Sequence, residues 1–414
     1  MGGGERFSVQ LASLAESRRA NPTNSMILKK LSLTNFRNYS EGEFLFSSEA
    51  TLVVGPNTSG KTNLIEAICL LSTGRSLGAS QESEMIQWGK NWARIEGQVT
   101  ADQTGRRTDN VDLGIDLSVS GEIEENGGGG KLEVFIEALP NPLLERDGAM
   151  VTGRNHTRKQ FKVNGVRKSL GEFQGAFRVV VFSPESLRLV LGRPSRRRSY
   201  LDRVLSSLDF SYFHNLDEYQ KVVRNRNQLL WRIRERRIPR ERLEFWDEKL
   251  FDLGEGVYAK RKELVLGLNQ KLSDLGLGVE LLYGPSVLDR GLYEERLPVE
   301  IERAITLWGP HRDDFKFTRM HANEGRDLAV FGSRGEQREA VFSLCLAELE
   351  VVSERVGERP ILLLDDIFSE LDEPHRRRVL GVLPKQQTII TSAEPELLNS
   401  SLKKKEATVI KLSS

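Results

Sequence analysis

Apolar residues change their spacing several times along this chain, and each change predicts a different kind of element. From Ile27 to Val54 the pattern is that of strands: Ile27, Leu31 and Leu33, then Phe44 to Phe46, then Thr51-Leu52-Val53-Val54. The last run has no polar alternation, as expected of a strand buried on both faces. From Thr62 to Ser72 the apolar residues Leu64, Ile65, Ile68 and Leu71 fall at helical spacing. Residues 93–168 return to alternation with turn signals between, which predicts antiparallel strands. Within them Asn164-Gly165 predicts a type I′ hairpin over Phe161–Val166. Phe177 to Phe182 is another apolar strand, and Ser183-Pro184-Glu185 after it is a helix start.

From Arg188 the period is helical as far as about Leu275, with a break at Pro239. Two long helices joined by a short turn, the second from about Glu241 to Leu275, make an αα-hairpin. Strands resume near Val279. A helix over Ser333–Val351, the apolar strand Ile361–Leu364 and a strand over Thr388–Thr391 close the pattern.

The chain has 414 residues, enough for two or three domains. It is 38% apolar and 29% charged, with a net charge of +1, so a nucleic-acid surface would have to come from local clustering. One such cluster exists. Residues 188–242 hold 15 Lys/Arg against 6 Asp/Glu, led by Arg196, Arg197, Arg198, Arg232, Arg234 and Arg236. This basic stretch is expected to contact DNA phosphates. The interleaved Tyr200, Tyr212, Phe213, Tyr219 and Trp231 are expected mainly in the core. No apolar run reaches the roughly 18–20 residues that cross a bilayer, and residues 1–25 carry no secretory h-region. A cytoplasmic protein with a disordered extension over 1–25 is expected. Cys69, Cys345 and the scattered histidines have no metal-ligand spacing.

Two phosphate-handling motifs sit at opposite ends. Gly55-Pro56-Asn57-Thr58-Ser59-Gly60-Lys61-Thr62 fits G-x-x-x-x-G-K-[ST] between a strand and a helix, the context a P-loop requires. Its backbone N–H groups and Lys61 would cradle the phosphates of ATP, and Thr62 would ligate Mg²⁺. About 300 residues later, Ile361 to Leu364 runs into Asp365 and Asp366. Asp365 is expected to hold Mg²⁺, and Asp366 to orient or deprotonate the attacking water. Just before them, Ser333-Arg334-Gly335-Glu336-Gln337-Arg338 opens a helix in the manner of an ABC-type signature, with Ser333, Gly335 and Gln337 the expected nucleotide contacts of a second subunit. Ser369-Glu370-Leu371-Asp372 follows as a D-loop. Thr391-Ser392 occupies the switch position, where many ABC-type ATPases have His, and slow hydrolysis is expected. Gln81 and Gln87 are both candidates for the Q-loop glutamine. Gly309-Pro310-His311-Arg312-Asp313-Asp314 names no catalytic dyad and reads by itself as a stapled turn.

On these segments, together with Leu33-Thr34-Asn35-Phe36-Arg37-Asn38-Tyr39, Asn63-Leu64-Ile65-Glu66-Ala67, Phe182-Ser183-Pro184-Glu185 and Arg196-Arg197-Arg198-x-x-Leu201-Asp202, the chain from Met26 onward resembles the RecF family of SMC-like ABC ATPases. The resemblance implies an α/β P-loop head built from both chain ends with an inserted, mostly helical second lobe. The expected division is 26–185 and 279–414 for the head and 186–278 for the lobe. It also implies ATP-dependent homodimerisation on double-stranded DNA near single-strand gaps. Work with RecR and RecO in loading RecA follows from the same likeness. Arg37 and Asn63 join the expected ATP contacts, with Asp372 at the dimer contact. The family signature usually reads Ser-Gln-Gly-Gln-Gln-Arg, so Glu336 is expected to put a negative charge where a γ-phosphate docks. A clamp with little or no turnover is the alternative. A nuclease or a transporter subunit is disfavoured, the first by the short stretch after Asp366, the second by the long insertion and the signature.

Overall fold

A computed structural model describes residues 24–76, 81–101, 129–139, 145–146, 149–150, 157–321, 324–367, 381, 385–393 and 407–413. The expected extension over 1–25 lies almost wholly outside them, and the first strand already runs from Asn24.

The centre is a five-stranded parallel sheet. Its order is Val179–Phe182, Ile361–Asp365, Thr388–Ser392, Ala50–Val54, Ala407–Lys411. The strand that feeds the P-loop therefore lies between two strands from the far end of the chain. All five residues of Ala50–Val54, Ile361–Asp365 and Thr388–Ser392 are buried, which is why these runs show no polar alternation. The head is built from both ends, as the motif spacing requires.

An antiparallel sheet packs on the first. Its long ladder pairs Asn24–Phe36 with Trp92–Ala101, then Gly129–Ala138, Thr157–Val163 and Val166–Lys168. Asn164 and Gly165 both have positive φ, 50° and 78°, as the type I′ turn demands. Gly129 and Gly130 pair with Thr100 and Val99 at the end of this ladder. The helix Lys61–Thr73 lies between the sheets, and eleven of its thirteen residues are buried.

The inserted lobe rises on two helices, Phe210–Arg234 and Glu244–Asp274. At 1.5 Å per residue they are about 37 and 46 Å long. Residues beyond 279, expected to rejoin the head at once, first build a small sheet of Glu280–Gly284, Asp314–His321 and Glu324–Asp327. Arm contacts hold it: Asn269 brackets Leu281 through both its N–H and its carbonyl, and Arg197 pairs with Asp314 at 2.6 Å. The chain re-enters the parallel sheet only after the 23-residue helix Arg334–Val356.

Two buried arginines tie the arm helices to the segment from Glu300 to Asp313. Arg226, 1% exposed, pairs with Asp247 at 2.7 Å and Glu300 at 2.6 Å and donates to Thr306 Oγ1 at 2.9 Å. Arg261, 2% exposed, reaches Asp202 at 2.8 Å, Asp313 at 3.1 Å and the Pro310 carbonyl at 2.6 Å. Such charges are tolerable in an interior because every one is paired and hydrogen-bonded. His311 joins them in neutral form: Nε2–H donates to the Thr306 carbonyl at 3.0 Å, so Nδ1 accepts from the Tyr219 hydroxyl at 2.8 Å. Burial lowers its pKa to about 4. The turn is thus a keystone of the arm, with its polar groups spent on packing.

Candidate nucleotide site

The P-loop begins where the buried strand Ala50–Val54 leaves the sheet. Gly60, at φ 100°, precedes the first helical residue, and no side chain caps the helix. Its first N–H groups are therefore available to an anion. A Cβ at Gly60 would lie 2.6 Å from Asn38 Nδ2 and 2.7 Å from Tyr39 Oη, so only glycine fits. Those neighbours hold the loop: Tyr39 Oη donates to the Gly60 carbonyl at 3.1 Å, and Asn63 Nδ2 donates to Asn38 Oδ1 at 2.8 Å. Lys61 Nζ is folded onto the loop itself, donating to the carbonyls of Gly55 at 2.7 Å and Pro56 at 2.8 Å. An ammonium ringed by its own loop carbonyls stands where phosphate oxygens would draw it. Ser59 Oγ is buried without a hydrogen-bond partner, a polar atom awaiting one.

Parallel register places Asp365 opposite Thr391, and Thr391 opposite Val53. It thereby brings the carboxylate strand to the P-loop. Thr62 Oγ1 lies 3.4 Å from Asp365 Oδ1, although 303 residues separate them. A hydroxyl and a carboxylate at this spacing fit the first shell of a hard divalent ion such as Mg²⁺. Thr391 Oγ1 donates to Asp365 Oδ1 at 2.6 Å and accepts from the Asp366 N–H at 3.0 Å. One hydroxyl thus fixes both acidic residues. Asp366 is held at φ 49°, a left-handed conformation a non-glycine residue adopts only when its surroundings impose it. Burial raises the Asp365 pKa above the usual aspartate range, against the Thr391 and Thr62 hydrogen bonds, which lower it.

Arg37, expected on the nucleotide, is clamped from three sides. It makes two 2.8 Å bonds to Glu66 on the P-loop helix and one to the Glu84 carbonyl. Arg37 therefore sets the helix position, and Glu66, absent from the expected site, is its partner. Gln87 donates its backbone N–H to the Asn35 carbonyl at 2.8 Å, while Gln81 is exposed ahead of a 3₁₀ turn.

Ser333 caps the signature helix, and Glu336 closes a capping box on it. The Glu336 carboxylate accepts from both the N–H and the hydroxyl of Ser333 at 2.8 Å. These bonds hold the Glu336 pKa low. Its charge is therefore folded back on its own helix start, where it satisfies the donors of Ser333. Gly335 lies on the exposed first turn. Gln337 does not face solvent: it is 5% exposed, with Nε2 donating to the carbonyls of Leu328 at 2.9 Å and Gly332 at 3.1 Å. It holds the helix entry. Asp372 lies outside the described residues.

The basic cluster divides in two. Arg197 is 8% exposed and bound to Asp314 at 2.6 and 2.9 Å and to the carbonyls of Leu189 and Gly192; Arg198 donates to the Asp313 carbonyl at 2.8 Å. Both are structural. Arg196 is exposed. Arg232, Arg234 and Arg236 cluster at the arm tip beside Arg237, which stacks 4.7 Å over Trp231, and Arg234 is shared with Glu235 at 3.2 Å. Tyr200, Tyr212 and Tyr219 are core, as expected.

The sequence pattern of the family described as RecF/RecN/SMC N terminal domain matches residues 27–412. The chain belongs to the RecF family. It is 33% identical to the DNA replication and repair protein RecF of Acetivibrio thermocellus, over 91% of this chain and 95% of that one. The Caldanaerobacter subterraneus RecF is 34% identical over 88% and 94%. Among solved structures, the recombination mediator protein RecF-ATP in the RecFOR pathway superposes with a TM-score of 0.73, at 32% identity over 92% of this chain and 95% of that one. Among the described residues, no helix is long and apolar enough to cross a membrane.

Proposed function

We propose that this chain is an ATP-switched, DNA-binding recombination mediator that dimerises on duplex DNA near single-strand gaps. In this reading it supports RecA loading together with RecR and RecO. The observation that carries it is the 3.4 Å approach of Thr62 to Asp365 across 303 residues, with the signature helix start exposed elsewhere on the head. In this reading each copy contributes one half of a nucleotide site and presents the other half to its partner.

Lys61 leaves its own carbonyls to hold the β- and γ-phosphates of ATP, and the uncapped helix N-terminus adds N–H donors. Thr62 and Asp365 would hold Mg²⁺, which supplies charge neutralisation between the phosphates. Asp366, aimed by Thr391, orients water or takes its proton. Ser333 and Gly335 of a second copy approach the γ-phosphate; Ser333 then exchanges its bonds to Glu336 for bonds to the phosphate. ATP can drive closure only by binding the dimer more tightly than the monomer. Arg196, Arg232, Arg234 and Arg236 contact DNA phosphates, which makes binding steeply salt-dependent.

The test is light scattering of wild type, Lys61→Ala and Ser333→Arg with and without ATP and gapped duplex. The reading expects an ATP-dependent dimer for wild type alone, strengthened by DNA. A wild type that stays monomeric with ATP bound refutes it. A clamp with little turnover is the second reading, favoured by the commitment of the Thr391 hydroxyl to Asp365.

A further inference from the structure

Three side chains stand apart on the surface. Trp88 is 100% exposed, Phe331 70% and Val330 69%, the three most exposed large apolar residues among those described. A single exposed apolar residue needs no explanation, but these three flank the two halves of the nucleotide site.

Trp88 sits at the tip of a turn closed by the Lys90 N–H, which donates to the Gln87 carbonyl at 3.0 Å. The strip before it is fastened to the loop that grips the P-loop. Gln87 N–H donates to the Asn35 carbonyl at 2.8 Å, and Arg37 N–H to the Met85 carbonyl at 2.9 Å. The same loop carries Asn38 and Tyr39, which hold Asn63 and Gly60. Trp88 is therefore mounted rigidly beside the Walker half. Val330 and Phe331 end the short helix Leu328–Phe331, which Gly332 alone separates from Ser333. Leu328 is buried, and its carbonyl is pinned by Gln337. Leu328 faces the core while Val330 and Phe331, at the end of the same short helix, are left on the surface beside the signature half.

We infer that Trp88 of one copy packs against Val330 and Phe331 of a second, forming an apolar contact beside each of the two ATP sites. This rests on the ATP-bound dimer proposed above and names the surface that closes it. A two-fold pairing that sets Ser333 of one copy on the P-loop of the other repeats every contact twice, so a contact of Trp88 with Val330 and Phe331 forms beside both sites. A large aromatic anchor with apolar partners is the composition of an energetic centre in an interface. ATP then supplies the specificity of the closed state, and the apolar contact supplies adhesion only in that register.

Sedimentation of the full chain with ATP tests this, using Trp88→Ser, the double variant Val330→Ser/Phe331→Ser, and Ser333→Arg. ATP binding to the monomer is followed with a fluorescent nucleotide. The expected result is unchanged monomer binding and a dimer weakened about thirty-fold by either apolar variant. In a second experiment, Trp88→Cys chains are mixed with Phe331→Cys chains and oxidised. The native Cys69 and Cys345 are buried. Cross-linking is expected in the mixture, with ATP, and in neither variant alone. Wild-type dimerisation with both apolar variants within three-fold of it, and no cross-link, overturns the inference while leaving the dimer standing. Loss of duplex binding by monomeric Trp88→Ser with dimerisation intact assigns the patch to DNA and overturns it too. If wild type itself never dimerises, both readings fall together.

Discussion

Replacing Thr391 by valine removes one oxygen and little else, which makes it a sharp probe of how the two acidic residues are held. The hydroxyl donates to Asp365 at 2.6 Å and receives the Asp366 N–H at 3.0 Å. The second bond has a substitute, because the Thr391 carbonyl also lies 3.2 Å from the Asp366 nitrogen. Among the described residues, the first has as its substitute only the longer Thr62 contact at 3.4 Å. A hydrogen bond to a charged group contributes about 1.5–3 kcal/mol, so Thr391→Val should cost on the order of 2 kcal/mol of stability in urea melts. If the same bond aims the Walker residues during hydrolysis, that energy appears in the barrier at about tenfold per 1.4 kcal/mol. Phosphate release at saturating ATP and gapped duplex should therefore fall about ten- to hundredfold, with nucleotide affinity little changed. Thr391→Ser restores the donor and should restore the rate. Thr391→Val hydrolysing within twofold of wild type, or Thr391→Ser no better than Thr391→Val, would refute the argument.

Two further outcomes follow from the base of the arm. Arg226→Met leaves Asp247 and Glu300 buried without their cation, and should cost about 3–5 kcal/mol in denaturant titrations. An accompanying Asp247→Asn, Glu300→Gln pair should recover part of it. His311 has its pKa lowered from 6.5 to about 4, so its contribution is fully present above pH 6.5 and is lost as pH falls through about 4. The shift corresponds to roughly 3 kcal/mol. His311→Gln should give a flatter stability profile across that window, measured by thermal melts at stepped pH.

The legible part of the molecule was the part written in local chemistry. A glycine loop between a buried strand and a helix, and an apolar strand ending on two aspartates, are each recognisable in a few adjacent residues, and the fold brings them together. The αα-hairpin was legible from periodicity and Pro239 for the same reason. What escaped depends on partners far away in sequence. Arg197 looks like its neighbour Arg196, and only Asp314, 117 residues on, decides that it is a structural anchor. Gln337 sits in a signature motif, yet the carbonyls of Leu328 and Gly332 claim it. The strands Glu280–Gly284, Asp314–His321 and Glu324–Asp327 have ordinary patterning, and nothing local says which sheet they join. Glu336 reads as a misplaced charge until the capping box turns it back on Ser333.

The order of strands in the parallel sheet has a consequence for synthesis. Ala50–Val54 emerges early from the ribosome, but both its neighbours, Thr388–Ser392 and Ala407–Lys411, come last. Until residue 388 has been made, the strand that presents the P-loop has no edge to pair with. The arm can fold first, because its helices and small sheet are contiguous in the chain. A nascent chain that has not yet reached Thr388–Ser392 therefore has nothing to join the P-loop strand to the strand that carries Asp365.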